Sequence, residues 1–243
     1  MSNEAILVFA RRPELGQVKT RLDARIGQNL TLSLYRTFLT DTLIAARKSG
    51  AKVIFAHTRG PNFPEQQLAD LTFVQRGNGF GERFDYSLLE AAKRLPPGTR
   101  LILVGADTPQ LSPTFLRTTL EELKHYDAVV GPNDNGGFYL LGFSRLPVPV
   151  ADVFTHSAAE EPKELLRILR RASLRTALLE PHFDVDLPKD LAKLMSLIDN
   201  LERDHADWIP VNTRNLLHSR SFISVNLDRE ADGKQEVELS QRS

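Results

Sequence analysis

The sequence contains no cysteine, which excludes disulfide bonds, thiolate metal sites and cysteine nucleophiles. It also lacks an excess of either charge: 31 Lys and Arg residues balance 31 Asp and Glu residues, so nothing draws the chain to nucleic acid or to an anionic membrane. No apolar run approaches the roughly 20 residues that a membrane-spanning helix needs. The first residues do not have the pattern of a signal peptide. We therefore expect a soluble, cytoplasmic protein with neither nucleic acid nor membrane as a partner.

Several catalytic motifs are missing as well. The six histidines show no His-x-x-x-His or His/acid spacing, which argues against zinc chemistry. No Gly-x-Ser-x-Gly elbow indicates a serine hydrolase. Neither a Walker loop nor a Gly-x-Gly-x-x-Gly fingerprint is present, so P-loop and dinucleotide chemistry are not supported.

What the chain does contain is an alternation of short apolar runs and amphipathic segments of helical length. Strands separated by such helices predict βαβ units, and therefore a three-layer α/β/α fold with a mostly parallel mixed sheet. We expect one domain over residues 1–217 and a charged, aperiodic, partly disordered tail over residues 218–243. The predicted strands are 5–10, 52–56, 72–75, 101–104, 127–130, 138–141 and 174–179, and the predicted helices are 30–49, 82–95, one from 113, one from 157, and 188–201.

The most informative stretch is residues 101–111, Leu-Ile-Leu-Val-Gly-Ala-Asp-Thr-Pro-Gln-Leu. Four consecutive apolar residues suit a strand buried on both faces, and Gly105 and then the lone acid Asp107 come shortly after it. A carboxylate at the end of a parallel strand lies where open α/β sheets bind ligands, and it suits a hard cation that holds phosphate oxygens. The alternative is that Asp107 only stabilises a turn.

A basic loop follows the first strand. Residues 11–22 place four cations, Arg11, Arg12, Lys19 and Arg21, around Gly16. Because arginine grips phosphate with two parallel hydrogen bonds and lysine adds a mobile charge, this loop is a candidate phosphate site. A solvated basic turn is the alternative interpretation.

Two further loops are candidates for ligand contact. Residues 131–139 contain Gly136 and Gly137, which allow a ligand to approach the backbone closely but also suit an ordinary hairpin turn. In residues 183–190, Asp184 and Asp186 point the same way if the segment is extended. Acidity at the start of a helix explains Asp190 well and Asp184 poorly.

Taken in order, four motifs resemble one family. They are the basic loop with Lys-Thr-Arg-Leu, then Gly-Ala-Asp-Thr-Pro, then Asp-Asn-Gly-Gly-Phe-Tyr-Leu-Leu-Gly, then Asp-Val-Asp-x-Pro-x-Asp-Leu. The pattern resembles the DUF2064 family of the glycosyltransferase A superfamily, whose members are linked to radical-SAM and arsenosugar biosynthesis, over about residues 5 to 217. It is more distantly similar to 2-phospholactate and molybdenum-cofactor guanylyltransferases.

The resemblance implies a nucleotide-diphospho-sugar transferase (GT-A-like) fold and a role for each motif. Asp107, Lys19 and Arg21 would be catalytic, and Asp107 and Asp186 would hold Mg²⁺ or Mn²⁺. The nucleotide would contact Arg11, Arg12, Gly16, Lys19 and Arg21, and the acceptor would lie beside Asn135, Gly136 and Gly137.

The sequence departs from the related patterns at two places. The first loop lacks the Gly-x-Gly-x-Arg pattern of sugar nucleotidyltransferases, so it does not identify the base pocket. Leu187 stands where a threonine helix cap is usual, which removes a cap of about 1 kcal/mol but no ligand.

Three functions fit these observations. The first is a divalent-metal-dependent glycosyltransferase that uses a nucleotide sugar and a small acceptor. The second is a nucleotidyltransferase that joins a nucleoside monophosphate, taken from a triphosphate, to a phosphorylated small molecule. The third is a non-catalytic nucleotide-binding protein. The sequence identifies neither the donor base nor the acceptor, and it leaves a homodimer open.

Overall fold

A seven-stranded sheet lies at the centre of the computed structural model, which describes residues 3–220 and residue 222. The strand order is β3-β2-β1-β4-β6-β5-β7, and β6 runs antiparallel to both of its neighbours while the other pairs are parallel. The predicted mostly parallel mixed sheet is therefore confirmed. The strands are β1 (Glu4–Ala10), β2 (Lys52–His57), β3 (Leu71–Val74), β4 (Arg100–Val104), β5 (Ala128–Pro132), β6 (Phe138–Phe143) and β7 (Thr176–Leu178).

Helices cover both faces of the sheet, as the continuous apolar runs of the central strands require. One face packs against α2 and α4 and the other against α3 and α5, each through a separate apolar cluster. This arrangement confirms the three-layer α/β/α prediction. Among the described residues the α-helices are α1 (Thr20–Ile26), α2 (Gln28–Lys48), α3 (Phe80–Lys93), α4 (Pro113–Glu122), α5 (Glu161–Arg171), α6 (Pro188–Arg203) and α7 (Val211–Leu217), with short 3-10 helices at Pro64–Leu68 and Ala151–Thr155.

A third apolar cluster lies on the far side of α2 and joins the two ends of the chain. It contains Leu22 of α1, Phe38 of α2, Leu194 of α6 and Leu217 of α7. Phe222 is also fully buried in it. The predicted tail, residues 218–243, lies mostly outside the described residues, but this part of it packs with the domain.

Two segments depart most clearly from the predicted secondary structure, and α7 was not predicted at all. The loop predicted over residues 11–22 ends earlier, because Thr20 already begins α1. The helix predicted from residue 157 begins at Glu161, after a turn in which the Ser157 hydroxyl donates to Glu160 Oε2 at 2.6 Å. The serine and the glutamate thus interact as the spacing suggests, but one turn ahead of the helix.

None of the helices in the described ranges is both long enough and apolar enough to cross a membrane.

Candidate nucleotide and metal site

A cavity of about 490 Å³ opens at the carboxyl ends of β1 and β4. This is the edge of an α/β sheet where ligands bind. Its floor is tied together by Gln75, whose buried side-chain amide donates to the carbonyl oxygens of Ala10 and Ala56, both at 2.9 Å. Tyr35 of α2 adds a hydrogen bond from its hydroxyl to the Arg11 carbonyl at 2.9 Å. The ends of neighbouring strands are therefore held in fixed positions beneath the cavity.

Asp107 and Asp186 converge in this cavity although they are far apart in the sequence. Lys19 Nζ lies 2.7 Å from Asp107 Oδ1 and 2.7 Å from Asp186 Oδ1, so the two oxygens can be no farther apart than these distances added together. The backbone explains the meeting: the Val185 amide donates to the Asp107 carbonyl at 2.9 Å and holds the segment before α6 against the end of β4. The two aspartates that the resemblance assigns to one metal ion therefore lie close together, and their role as metal ligands stays a prediction.

Lys19 is buried between these carboxylates. Its side chain is 5% exposed, whereas those of Asp107 and Asp186 are 42% and 45% exposed. Burial alone would lower the pKa of Lys19, but the charges of Asp107 and Asp186 outweigh it and raise the pKa above its ordinary value. The backbone of Lys19 is left-handed, with φ 48° and ψ 38°. For a residue with a Cβ this conformation costs about 1–2 kcal/mol, a strain that clusters at functional sites.

Asp184 is a third carboxylate of the cavity, and the resemblance had given it no role. Its oxygens accept hydrogen bonds of 2.7 Å from the Thr108 hydroxyl and from the Asn133 side-chain amide. Burial, and then the neighbouring Asp107, raise its pKa to about 6. The alternation of Asp184 and Asp186 was the sequence signal for its position.

The cations predicted to bind phosphate divide into two groups. Arg11, Lys19 and Arg21 line the cavity together with Gly16. Arg12 does not: it forms an ion pair with Glu14, and its guanidinium packs where a side chain on Gly60 would lie. The predicted contact of Arg12 with nucleotide therefore has no support from its position.

Arg83 is an additional cation that the sequence did not single out. It extends from α3 into the lining of the cavity, and its Nε is buried with no hydrogen-bond partner among the described residues. Arginine in an amphipathic helix ordinarily lies on the solvent face, so no local signal marked it.

Aromatic side chains, here called the aromatic wall, also line the cavity. Phe80, Phe84 and Phe138 line it, and Phe80 is 47% exposed. The Phe80 ring packs edge-on against Phe9 with centroids 5.6 Å apart, and against Phe154 with centroids 4.7 Å apart. The predicted helix began at Glu82, two residues after Phe80, so the sequence pattern missed this ring. The cavity is thus lined by both charged and aromatic side chains.

The residues predicted to border the acceptor do not line this cavity. Asn135, Gly136 and Gly137 form the turn between β5 and β6, and the Gly137 amide donates to the Ala158 carbonyl at 2.6 Å. The two residues that follow, Phe138 and Tyr139, do line it. The glycines therefore position the start of β6, and their contact with an acceptor stays a prediction.

The residues present fit a divalent cation. Asp107 and Asp186 supply only oxygen donors, which are the ligands that Mg²⁺ and Mn²⁺ prefer. Both carboxylates are open to the cavity, and a positive group, the Lys19 ammonium, already lies between them.

A search of curated proteins finds no match for this chain. Among solved structures, a candidate nucleotide-diphospho-sugar transferase from Desulfovibrio desulfuricans G20 is 26% identical, covers 97% of this chain and 98% of its own, and has a TM-score of 0.70. More distant matches are Rv0371c from Mycobacterium tuberculosis H37Rv in complex with manganese (20% identity, 79% and 98% coverage, TM-score 0.45) and CMP:2-keto-3-deoxy-manno-octonic acid synthetase complexed with CTP (16% identity, 81% and 99% coverage, TM-score 0.45).

The model of one protein family, described as an uncharacterized protein conserved in bacteria (DUF2064), matches residues 34–158. This range includes β4 and Asp107, the hairpin of β5 and β6, and Arg83. The chain belongs to the DUF2064 family and has the fold of nucleotide-diphospho-sugar transferases.

Proposed function

We propose that the chain is a divalent-metal-dependent glycosyltransferase that uses a nucleotide sugar as donor and a small molecule as acceptor. The transferase class follows from the likeness to the D. desulfuricans protein over nearly the whole chain. The observation that carries the proposal is the convergence of Asp107 and Asp186 on one cation position inside a cavity lined by further cations.

In this proposal Asp107 and Asp186 hold Mg²⁺ or Mn²⁺. When bound, the ion neutralises the diphosphate of the donor and fixes its orientation. Arg11 and Arg21 lie in the same cavity and hold the phosphate oxygens by charge-assisted hydrogen bonds. The aromatic wall buries a part of the substrates that carries no phosphate.

The chemical step breaks the bond between the sugar's anomeric carbon and the diphosphate oxygen. An acceptor hydroxyl forms the new bond to that carbon and gives its proton to water, and the electron pair of the broken bond goes to the diphosphate. Negative charge therefore grows at the leaving group, beside Lys19 and Arg21. Cationic donors placed in advance where charge develops stabilise the transition state more than the ground state.

A specific observation favours nucleotidyl transfer as a second candidate. Four cationic side chains line the cavity, namely Arg11, Lys19, Arg21 and Arg83. A nucleoside triphosphate carries more charge than a nucleotide sugar and needs more neutralisation. In this version a phosphorylated acceptor attacks the α-phosphate, and pyrophosphate leaves.

A thermal-shift screen separates these candidates. Nucleotide sugars and nucleoside triphosphates are each tested with and without Mn²⁺, since a ligand raises the melting temperature according to its concentration relative to its Kd. A metal-dependent shift with one nucleotide sugar supports the glycosyltransferase. A shift confined to triphosphates supports the second candidate. Binding of both classes independent of metal contradicts a metal-dependent enzyme and favours a non-catalytic nucleotide-binding protein.

Asp107→Asn tests the chemistry directly. Asparagine keeps the size of the side chain but loses the charge that holds a hard cation. With the donor from the screen, we expect turnover to fall at least about a hundredfold, in the range seen when one preorganised electrostatic contact is lost. Asp199→Asn is the matched control, because Asp199 is an exposed carboxylate of α6 outside the lining of the cavity. Near-full turnover of Asp107→Asn would reduce Asp107 to a turn residue.

A further inference from the structure

Lys19 occupies the position that a metal ion would need. Its ammonium lies 2.7 Å from one oxygen of Asp107 and 2.7 Å from one oxygen of Asp186. A Mg²⁺ ion bound to the same two oxygens would lie about 2.0–2.1 Å from each of them. The ion and the ammonium cannot both occupy the space between these oxygens. Metal binding through both of these oxygens therefore requires the ammonium to leave.

The fold holds the ammonium there. Lys19 adopts its left-handed conformation directly before α1, and its carbonyl accepts the Leu22 amide at 2.8 Å. Leu22 is fully buried in the third apolar cluster, so the backbone of Lys19 is anchored by packing. The side chain, however, is a flexible stem whose end can move without moving the helix.

The same cavity offers the ammonium a second partner once a phosphate is bound. Arg11, Arg21 and Arg83 line the cavity alongside Lys19 and would attract a phosphate group. Phosphate oxygens at that place would draw the ammonium away from the carboxylates and leave both of them free.

We propose that Lys19 is a resident counter-cation that blocks the Asp107–Asp186 pair until a phosphate-bearing ligand draws it off. Metal and phosphate then bind cooperatively, and each raises the affinity for the other by the same factor. The inference rests on the proposed metal site and adds to it a dependence on phosphate. The chain binds the metal ion weakly when phosphate is absent and tightly when phosphate is bound.

The test is a titration of the full chain with Mn²⁺. Binding is measured by calorimetry and by the electron paramagnetic resonance signal of the Mn²⁺ that stays free. Lys19→Met keeps an unbranched side chain but removes the charge, and we expect it to bind Mn²⁺ about tenfold more tightly than the unsubstituted chain in the absence of phosphate. Lys124→Met is the matched control. Lys124 lies just after α4, forms an ion pair with Glu121 and does not line the cavity. Lys19→Gln removes the same charge and serves if Lys19→Met does not fold.

The second arm adds inorganic phosphate below the concentration at which manganese phosphate precipitates. We expect phosphate to tighten Mn²⁺ binding to the unsubstituted chain more than to Lys19→Met.

Equal Mn²⁺ affinities of the unsubstituted chain and both Lys19 variants would overturn the inference and leave the metal site intact. Absence of Mn²⁺ binding in every variant, with or without phosphate, would instead overturn the metal-dependent function itself. Adding Asp107→Asn to Lys19→Met should abolish the gain; persistence of the gain would place the ion elsewhere and overturn the inference.

Discussion

Arg11 and Arg21 are exposed cations of the cavity that form no ion pair with a carboxylate in the described part of the chain. They are therefore free to bind phosphate, unlike Arg12, whose charge Glu14 already neutralises. We expect the double substitution Arg11→Ala and Arg21→Ala to weaken nucleotide binding more than about tenfold, because each hydrogen bond to a charged group contributes roughly 1.5–3 kcal/mol. Calorimetry with the nucleotide from the thermal-shift screen measures the change.

Arg25→Ala is the matched control for this prediction. Arg25 belongs to the same helix, α1, but does not line the cavity. Its loss should leave nucleotide affinity unchanged. If the double variant bound nucleotide as tightly as Arg25→Ala does, the phosphate site would lie elsewhere.

The sequence predicted some of the site's residues and missed others for a physical reason. Asp107 was predictable because it comes shortly after a strand with a clear apolar pattern, β4. Arg12 was misleading because consecutive residues leaving a strand point to opposite sides, so only one of two adjacent arginines faces the cavity. Arg83 reaches the site through tertiary packing, which no local pattern encodes, whereas the alternation of Asp184 and Asp186 did indicate the position of Asp184.

Gly136 contributes to the packing of the turn between β5 and β6, whatever its contact with an acceptor. Its φ is +90°, and a Cβ there would lie 2.5 Å from the Ala158 carbonyl oxygen. We expect Gly136→Ala to lower the free energy of unfolding by roughly 2–5 kcal/mol, from the left-handed conformation and the overlap together. Gly50→Ala separates the cost of the backbone conformation from the cost of the overlap. Gly50 has a similar φ of +88°, but a Cβ there would have no atom within 4 Å. Urea denaturation that gives equal losses for both variants would contradict the overlap.

At the scale of elements, α7 is fastened to α2 by one buried carboxylate. Asp41, 1% exposed, accepts hydrogen bonds from the Thr213 amide at 2.8 Å, the Asn212 amide at 3.2 Å and the Asn212 side chain at 2.7 Å. Asp41→Ala leaves these donors unsatisfied, so we expect a loss of about 3 kcal/mol in the free energy of unfolding. Asp199→Ala, on the exposed face of α6, should change it by less than about 0.5 kcal/mol. A similar small change in Asp41→Ala would show that packing alone holds α7.

The elements that the sequence predicted contain either a short run of mostly apolar residues or apolar residues at helical spacing. All seven strands and the helices α2 to α6 were predicted in this way, and the structure differs from the predictions mainly at their ends. The short helices α1 and α7 were missed because seven residues give only two turns, too few for a periodic signal. Because Arg21 lies on α1, the sequence also did not show that the end of the basic loop is part of a helix.

At the scale of the whole molecule, we propose that the domain predicted for residues 1–217 extends at least to Phe222. This ring is fully buried among residues of α1, α2, α6 and α7. Phe222→Ala should lower the free energy of unfolding by about 3–5 kcal/mol. Leu178→Ala is the control, because Leu178 is 60% exposed. If Phe222→Ala lowered the free energy of unfolding as little as the control does, the domain would end at residue 217, as the sequence predicts.

The contact between Lys19 and Asp186 joins positions 167 residues apart in the chain. Bringing such distant positions together closes a very long loop, and contacts of this kind depend on most of the topology being in place. A nascent chain or a fragment that ends before Asp186 therefore lacks the complete pair of carboxylates. The proposed metal site is thus complete only after most of the domain has been synthesised.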